Sequence, residues 1–108
     1  MIITATKINN AEVLNFSGIL NAENVTLFRE HIERLLNSDI NLVVLDLEKL
    51  EEIDSSGIGA IISLLKRMRM NKGDLRILKL RGAVKKLFEL LRIDRGIDIY
   101  EDLELATK

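Results

Sequence analysis

The feature that most constrains the fold is a continuous apolar run, Leu42-Val43-Val44-Leu45, which stands between two segments with helical periodicity. A run of apolar residues without alternating polar ones is typical of a strand that is buried on both faces of a sheet. Such strands lie in sheets covered by helices and are joined by right-handed crossovers. The run therefore predicts an α/β fold with a mostly parallel sheet.

The other segments extend this pattern along the chain. Residues 2–8 and 12–19 predict two strands joined by a turn at Asn9-Asn10, because asparagine tolerates the left-handed conformations of tight hairpins. Further strands are predicted at 75–80 and 97–99. With the helices between them, the predicted order is β-β-α-β-α-β-α-β-α. This order makes a mixed, mostly parallel sheet of four or five strands with helices mainly on one face.

Three helices follow from apolar residues at a spacing of about 3.6 residues. Asn21 is expected to cap the first helix, the second helix begins near Asp54, and Gly73 is expected to end it as a C-cap glycine. A third helix is predicted at 83–91 and a final helical turn at 103–106. The residues expected to face the core are Val25, Phe28, Ile32, Leu35 and Leu36 in the first helix, Ile58, Ile61, Ile62, Leu65 and Met68 in the second, and Val84, Leu87, Phe88 and Leu91 in the third.

Composition excludes several classes of protein. The 108 residues suit one domain covering 1–108, and the absence of cysteine excludes disulfides, thiolate catalysis and cysteine-based metal sites. The N-terminus lacks the basic and apolar regions of a signal peptide. No apolar run is long enough to span a bilayer. We therefore expect a cytoplasmic protein without a membrane partner.

Charge is distributed unevenly along the chain. Residues 1–65 carry four basic and ten acidic side chains, whereas residues 66–95 carry eleven basic and three acidic ones, a net charge of +8. The basic stretch has no interleaved aromatic residues that would stack on bases. Its charges lie between apolar core positions, so we expect solvated helix and strand faces and no nucleic-acid partner.

The strongest candidate for a functional site is the segment 51–59, Glu-Glu-Ile-Asp-Ser-Ser-Gly-Ile-Gly, between the buried strand and the second helix. Asp54 is placed to cap this helix by accepting a hydrogen bond from a backbone N–H group of its first turn. Ser55 and Ser56 would then lie in the exposed first turn. Local chemistry alone leaves a second interpretation open, since the same residues are typical of an ordinary helix cap and turn.

The glycines of this segment and the single histidine bear on other kinds of site. Gly57 and Gly59 permit close approach, and we expect Gly57 to face a partner and Gly59 to face the sheet. They do not form a phosphate-binding loop, because the further glycines and the lysine of that motif are missing. His31 is expected to face solvent on the first helix without a route to Ser55, so no catalytic residue, metal site or cofactor is predicted.

Several segments together resemble the STAS domain of anti-sigma factor antagonists. They are the strand 43–47, the stretch 53–59 that follows a short loop, Gly73-x-Leu75-x-Ile77-x-x-Leu80, the segment 83–90, and Gly18-Ile19-Leu20 before the first helix. Asp-Ser-Ser-Gly alone is a weak motif, but these flanking segments make the resemblance specific. The resemblance covers essentially the whole chain in the same order.

The resemblance implies a protein-interaction switch rather than an enzyme. Members of the family bind an anti-sigma factor that is itself an ATP-dependent serine kinase, and this kinase phosphorylates the first serine after the aspartate, here Ser55. A metal-dependent serine phosphatase restores the unmodified form. No cofactor is implied, and we expect a monomer or a weak homodimer. The partner-binding residues implied by the resemblance are Asn21, Glu52, Ile53, Asp54, Ser55, Ser56, Gly57 and Ile58.

One position departs from the family pattern. Many members have an acidic residue after the Gly-x-Leu turn, where this chain has Asn21. If that acid helps to engage the kinase, the asparagine alters partner affinity or phosphorylation. Two other functions remain open: an unphosphorylated scaffold or adaptor in which Ser55 is only part of the cap, and a small-ligand or nucleotide-binding module at the same helix terminus.

Overall fold

The computed structural model describes residues 1–108. Five strands are present, β1 (Ile2–Ile8), β2 (Ala11–Leu20), β3 (Leu42–Ile53), β4 (Asp74–Leu78) and β5 (Asp98–Tyr100). The helices are α1 (Val25–Leu36), α2 (Ser55–Met70), α3 (Gly82–Leu90) and α4 (Leu103–Ala106), and a 3₁₀ turn spans Ile93–Arg95. The predicted order of elements is confirmed. None of the helices is both long and apolar enough to cross a membrane.

The sheet has the strand order β1-β2-β3-β4-β5. β1 and β2 form an antiparallel hairpin through Asn9 and Asn10, whose φ angles of 51° and 69° are left-handed as expected. All other neighbouring strands are parallel. The prediction of a mixed, mostly parallel sheet is therefore confirmed. β3 is its central strand, and the side chains of Val43, Val44 and Leu45 are fully buried.

Helices α1, α2 and α3 cover one face of the sheet. A core of 23 buried residues lies between these helices and the strands. Within it, Phe16 of β2 meets Phe28 of α1 edge to face, with ring centroids 5.1 Å apart. The other face carries a smaller cluster to which α4 contributes Ala106, together with Ala11, Val13, Val44 and Leu78. Helices therefore lie mainly on one face, as predicted.

The second half of β3 differs from the expected short loop. β3 continues beside β2 to Ile53, and the register between the two strands shifts twice on the way. Each shift places one extra residue in β3, which is a β-bulge. Because of the bulges, Leu47, Leu50 and Ile53 reach the core at three-residue spacing. The sequence shows no two-residue alternation in this stretch, so periodicity did not indicate a strand.

The ends of α1 and α2 also differ from those that the sequence predicts. The N-cap residue of α1 is Asn24 and not Asn21. At the end of α2, Lys72 adopts the left-handed conformation (φ 63°) that the sequence suggests for Gly73. Gly73 serves close packing instead, because a Cβ atom there would lie 2.5 Å from the carbonyl oxygen of Asn41.

Candidate functional site

Asp54 joins the end of β3 to the first turn of α2. Its Oδ1 accepts hydrogen bonds from the backbone N–H groups of Ser56 (2.9 Å) and Gly57 (3.2 Å). These groups are the second and third donors of the helix and have no acceptor within it. The predicted capping role of Asp54 is therefore confirmed.

The same carboxylate holds a second segment of the chain. Oδ2 of Asp54 accepts a hydrogen bond from the N–H of Ala22 at 3.1 Å, and the N–H of Asp54 donates to the carbonyl of Leu20 at 3.1 Å. Within the turn before α1, the side-chain oxygens of Asn21 and Asn24 accept from backbone N–H groups. Asp54 thus fixes this turn against the N-terminus of α2, a contact that no sequence pattern indicates.

Most of the residues expected to bind a partner lie together at this end of the protein. Ser55 is exposed at the first position of α2, and Ser56 is half-buried beside it. Glu52 is exposed at the end of β3. The expected residues that reach the surface here are Asn21, Glu52, Ile53, Asp54, Ser55 and Ser56.

The two glycines have the opposite roles to those expected. Gly57 is buried, and a Cβ atom there would lie 2.6 Å from Cγ1 of Ile53 and 2.8 Å from Cγ of Leu20. Gly59 is exposed, and a Cβ atom there would meet no atom within 4 Å. Ile58 is only 7% exposed. Gly57 and Ile58 therefore pack inside the protein, and the expectation that they contact a partner was wrong.

The surface around Ser55 is acidic. Glu51 and Glu52 are exposed on the last residues of β3, and Glu23 is exposed in the turn before α1. None of these three carboxylates takes part in an ion pair. The positive end of the α2 dipole partly offsets them, but Asp54 already occupies two of the free N–H groups there.

His31 belongs to a different cluster. Its Nδ1 lies 3.0 Å from Nη2 of Arg34, and the Arg34 guanidinium donates to both carboxylate oxygens of the buried Glu12. His31 is therefore half-buried rather than fully solvent-facing. Partial burial, followed by the neighbouring Arg34 cation, lowers the pKa of His31 below its usual value. No hydrogen bond connects this cluster with Ser55.

The family model described as STAS domain matches residues 3–106, and this chain belongs to the STAS domain family. The sequence is 31% identical over 90 residues to a Thermotoga maritima protein with the provisional name of anti-sigma factor antagonist. That alignment covers 82% of this chain and 80% of the Thermotoga protein. The resemblance to the STAS family is confirmed.

Two solved structures extend the comparison. The crystal structure of a Thermotoga maritima protein with the same provisional name superposes with a TM-score of 0.89 at 27% identity, covering 96% of this chain and 90% of that one. The phosphorylated form of the Bacillus cell fate determinant SpoIIAA superposes with a TM-score of 0.78 at 18% identity, covering 97% and 96% of the two chains. This second likeness shows the fold alone. The names of these relatives describe regulatory proteins rather than enzymes.

Proposed function

We propose that this protein is an anti-sigma factor antagonist that binds an anti-sigma factor through the surface around Ser55 and is released when Ser55 is phosphorylated. The observation that carries the proposal is the exposed position of Ser55 at the start of α2, directly after the capping Asp54, in a chain of the STAS family. The name of the Thermotoga maritima relative supports the same function. The partner we expect is an anti-sigma factor with serine kinase activity, and a serine phosphatase would reset the switch.

The outer side of α2 gives a partner access to Ser55. Ser55 and Gly59 are four residues apart, so they lie on the same side of the helix. Gly59 is exposed and has no side chain, so no side chain at this position hinders access to the hydroxyl group of Ser55. The turn containing Asn21 is held against the same helix end through Asp54. Together with Glu52, these segments supply the surface that we assign to the anti-sigma factor.

Phosphorylation at this position would act through local charge rather than refolding. A phosphate adds roughly −1.5 to −2 charges and three acceptor oxygens. At Ser55 it meets a helix end whose second and third N–H groups are already bonded to Asp54, so it gains little there. The neighbouring Glu51 and Glu52 carboxylates repel it. We therefore expect the phosphate to project outward and to leave the free domain nearly unchanged.

The same charge has a larger effect in a complex. A partner surface that is suited to a neutral hydroxyl must either bury the dianion or lose contact with it. An unpaired buried charge costs about 3–5 kcal/mol, and each 1.4 kcal/mol is roughly a tenfold loss of affinity. Phosphorylation of Ser55 would therefore lower affinity by about a hundredfold or more.

Ser55 would serve as a phosphate acceptor and not as a catalytic nucleophile. A serine nucleophile needs a general base within hydrogen-bond reach. The only histidine is His31, which contacts Arg34 in the cluster around Glu12. The chain is accordingly expected to have no hydrolase activity of its own.

The proposal is tested by incubating the protein with its cognate anti-sigma factor kinase and ATP and then mapping the phosphate by mass spectrometry. We expect modification of Ser55 in the parent and in Ser56→Ala, which is the matched control, and none in Ser55→Ala. Phosphate on Ser56 with Ser55 unmodified would contradict the proposal. Binding of the kinase without any phosphorylation would favour the scaffold function instead.

A further inference from the structure

The last turn of α2 contacts the segment that follows α3, at the end of the protein opposite to Ser55. Nη2 of Arg69, in the last turn of α2, donates to the carbonyl of Gly96 at 2.9 Å. Gly96 directly follows the 3₁₀ turn Ile93–Arg95, which packs against α3. With a rise of 1.5 Å per residue, the last residue of α2 lies about 23 Å from Ser55 along the helix axis. We call this region, formed by residues 66–72 at the end of α2 and residues 86–96 at the end of α3 and in the turn after it, the basic end.

The basic end carries more positive charge than its ion pairs neutralise. Of the eleven basic residues between 66 and 95, four form ion pairs, and Arg76 donates to the carbonyls of Ala106 and Lys108. Of the remaining six, Lys85 lies one turn after Arg81 and near Glu101. The other five belong to the basic end, are exposed and have no ion-pair partner: Lys66, Lys72, Lys86, Arg92 and Arg95. The unpaired acids Glu89 and Asp94 lie in the same region and Asp98 follows in β5, so an excess of cations remains.

Exposed apolar side chains accompany these cations. Met70 at the end of α2 is 81% exposed and Leu90 at the end of α3 is 77% exposed, the two largest values among the large hydrophobic residues of the chain. Leu91 is 52% exposed, which corrects the expectation that it faces the core. These side chains project outward and line none of the cavities of the protein.

We propose that the basic end docks reversibly on a membrane that contains anionic phospholipids. Leucine and methionine surrounded by lysine and arginine form the composition of surfaces that lie in the membrane interface. The cations would contact the headgroups, and the side chains of Met70, Leu90 and Leu91 would enter the boundary with the acyl chains. The acidic surface around Ser55 would be repelled, so the protein would dock with Ser55 facing away from the membrane and open to its partner.

This contact revises the expectation that the basic stretch only forms solvated faces. The structure leaves five cations of the basic end without an ion-pair partner, and Lys66 and Lys86 each stand four residues before Met70 and Leu90, the most exposed apolar side chains. An acidic surface on a protein partner would also complement the positive charge of the basic end. The membrane is favoured because Met70 and Leu90 protrude instead of lining a groove into which side chains of a partner would fit.

The test is co-sedimentation of the full chain with vesicles of phosphatidylcholine alone and of phosphatidylcholine mixed with phosphatidylglycerol. We expect binding to the anionic vesicles only, and a loss of at least tenfold at about 1 M salt, where the screening length falls to about 3 Å. Equal binding to both kinds of vesicle, or no binding to anionic vesicles at low salt, would overturn the proposal.

Charge variants locate the contact. Lys66→Ser combined with Lys86→Ser should lower the partition onto anionic vesicles by about thirtyfold, since each surface cation contributes about fivefold. The control is Lys7→Ser combined with Lys49→Ser, which removes the same charge from exposed lysines outside the basic end. Equal losses in the two double variants would mean that net charge and not this surface governs binding.

Leucine variants test the apolar contact. Leu90→Ser combined with Leu91→Ser should weaken binding at least tenfold, whereas Leu103→Ser combined with Leu105→Ser, at exposed leucines of α4, should not. Thermal melts establish that each variant is folded. Tighter binding to soluble polyglutamate than to anionic vesicles would overturn the membrane proposal and indicate that the basic end binds an acidic protein partner. Because no kinase is present, these results are independent of whether Ser55 is phosphorylated.

Discussion

The first two turns of α2 have an inner and an outer side that differ in what a substitution can change. On the inner side, Gly57 and Ile58 are buried and Gly57 lies against Leu20 and Ile53. On the outer side, Ser55 and Gly59 are exposed. Two glycines two residues apart thus serve different physical purposes: one lets the helix approach the sheet, and the other leaves the surface beside Ser55 open.

Because the two sides differ in this way, a charge can be added at Ser55 without disturbing the fold. The inner side and Asp54 fix the helix in place through packing and through hydrogen bonds to Ser56, Gly57 and Ala22. The outer side makes no contact of this kind. A modification there changes what a partner meets and leaves the core as it is.

The largest expected effect separates the two glycines. Gly57→Val should destabilise the protein by about 3 kcal/mol, because its Cβ would lie far inside contact distance of Leu20 and Ile53. Gly59→Val should change the free energy of unfolding by less than about 1 kcal/mol, because it meets open space and valine is no worse than glycine in a helix. Chemical denaturation of both variants measures the difference in the free energy of unfolding. Equal losses of stability would contradict the assignment of Gly57 to the inner side and Gly59 to the outer side of α2.

The next largest effect is expected at Asp54, whose carboxylate caps α2 and also binds the turn before α1. Asp54→Ala should cost about 2 kcal/mol, at the upper end of the range for a lost cap, because it frees the N–H groups of Ser56, Gly57 and Ala22 together. The matched control is Asp102→Ala, which removes a cap with one side-chain hydrogen bond, to Leu105, from the short helix α4. Urea denaturation should give a smaller loss for Asp102→Ala than for Asp54→Ala, and the reverse order would show that the link to Ala22 contributes nothing.

A smaller effect of opposite sign is expected at the outer glycine. Gly59→Ala should stabilise the protein by about 0.5–1 kcal/mol, because alanine loses less backbone entropy in a helix and its methyl group meets no atom. The same variant should weaken binding to the anti-sigma factor if the partner approaches this surface closely. Calorimetric titration and a melt of the free protein check both parts, and a destabilised Gly59→Ala would place this residue on the inner side.

The smallest effect on stability is expected at Ser55. Ser55→Asp should change the free energy of unfolding by no more than about 0.5 kcal/mol, because the residue is exposed and the helix dipole offsets the repulsion from Glu51 and Glu52. Its affinity for the anti-sigma factor should nevertheless fall, in the same direction as for the phosphate but by less. Ser55→Ala should retain binding.

Calorimetry at two salt concentrations sharpens this last test. A loss of affinity in Ser55→Asp that persists in salt indicates a buried charge, whereas a loss that fades with salt indicates repulsion across water. If Ser55→Asp binds as well as the parent, or fails only because it unfolds, the charge at Ser55 is not the switch.

Much of the fold was predictable because it depends on short-range patterns. The run Leu42–Leu45 indicated a buried central strand, and Asp54 indicated a helix cap through chemistry that needs only the next three residues. The second half of β3 was not predictable in the same way. Its bulges place apolar residues at every third position, a spacing that also occurs in helices and loops, and only the pairing with β2 shows that it is a strand.

The sequence by itself determined the order of the elements, the two layers and the position of Ser55 after a capping aspartate. Periodicity and capping depend on neighbours within a few residues, so they can be recognised without knowing the fold. Gly57 lies four residues before Ile61 and therefore on the apolar side of α2, so the helical period already indicated that Gly57 and not Gly59 faces inward. The sequence did not show how closely Gly57 packs. That was decided by Leu20, which is distant in sequence and meets Gly57 only after β2 pairs with β3 and α2 docks on the sheet. The link from Asp54 to Ala22, the left-handed Lys72 and the exposed leucines of the basic end were likewise fixed by tertiary structure, because each depends on which distant segments come together.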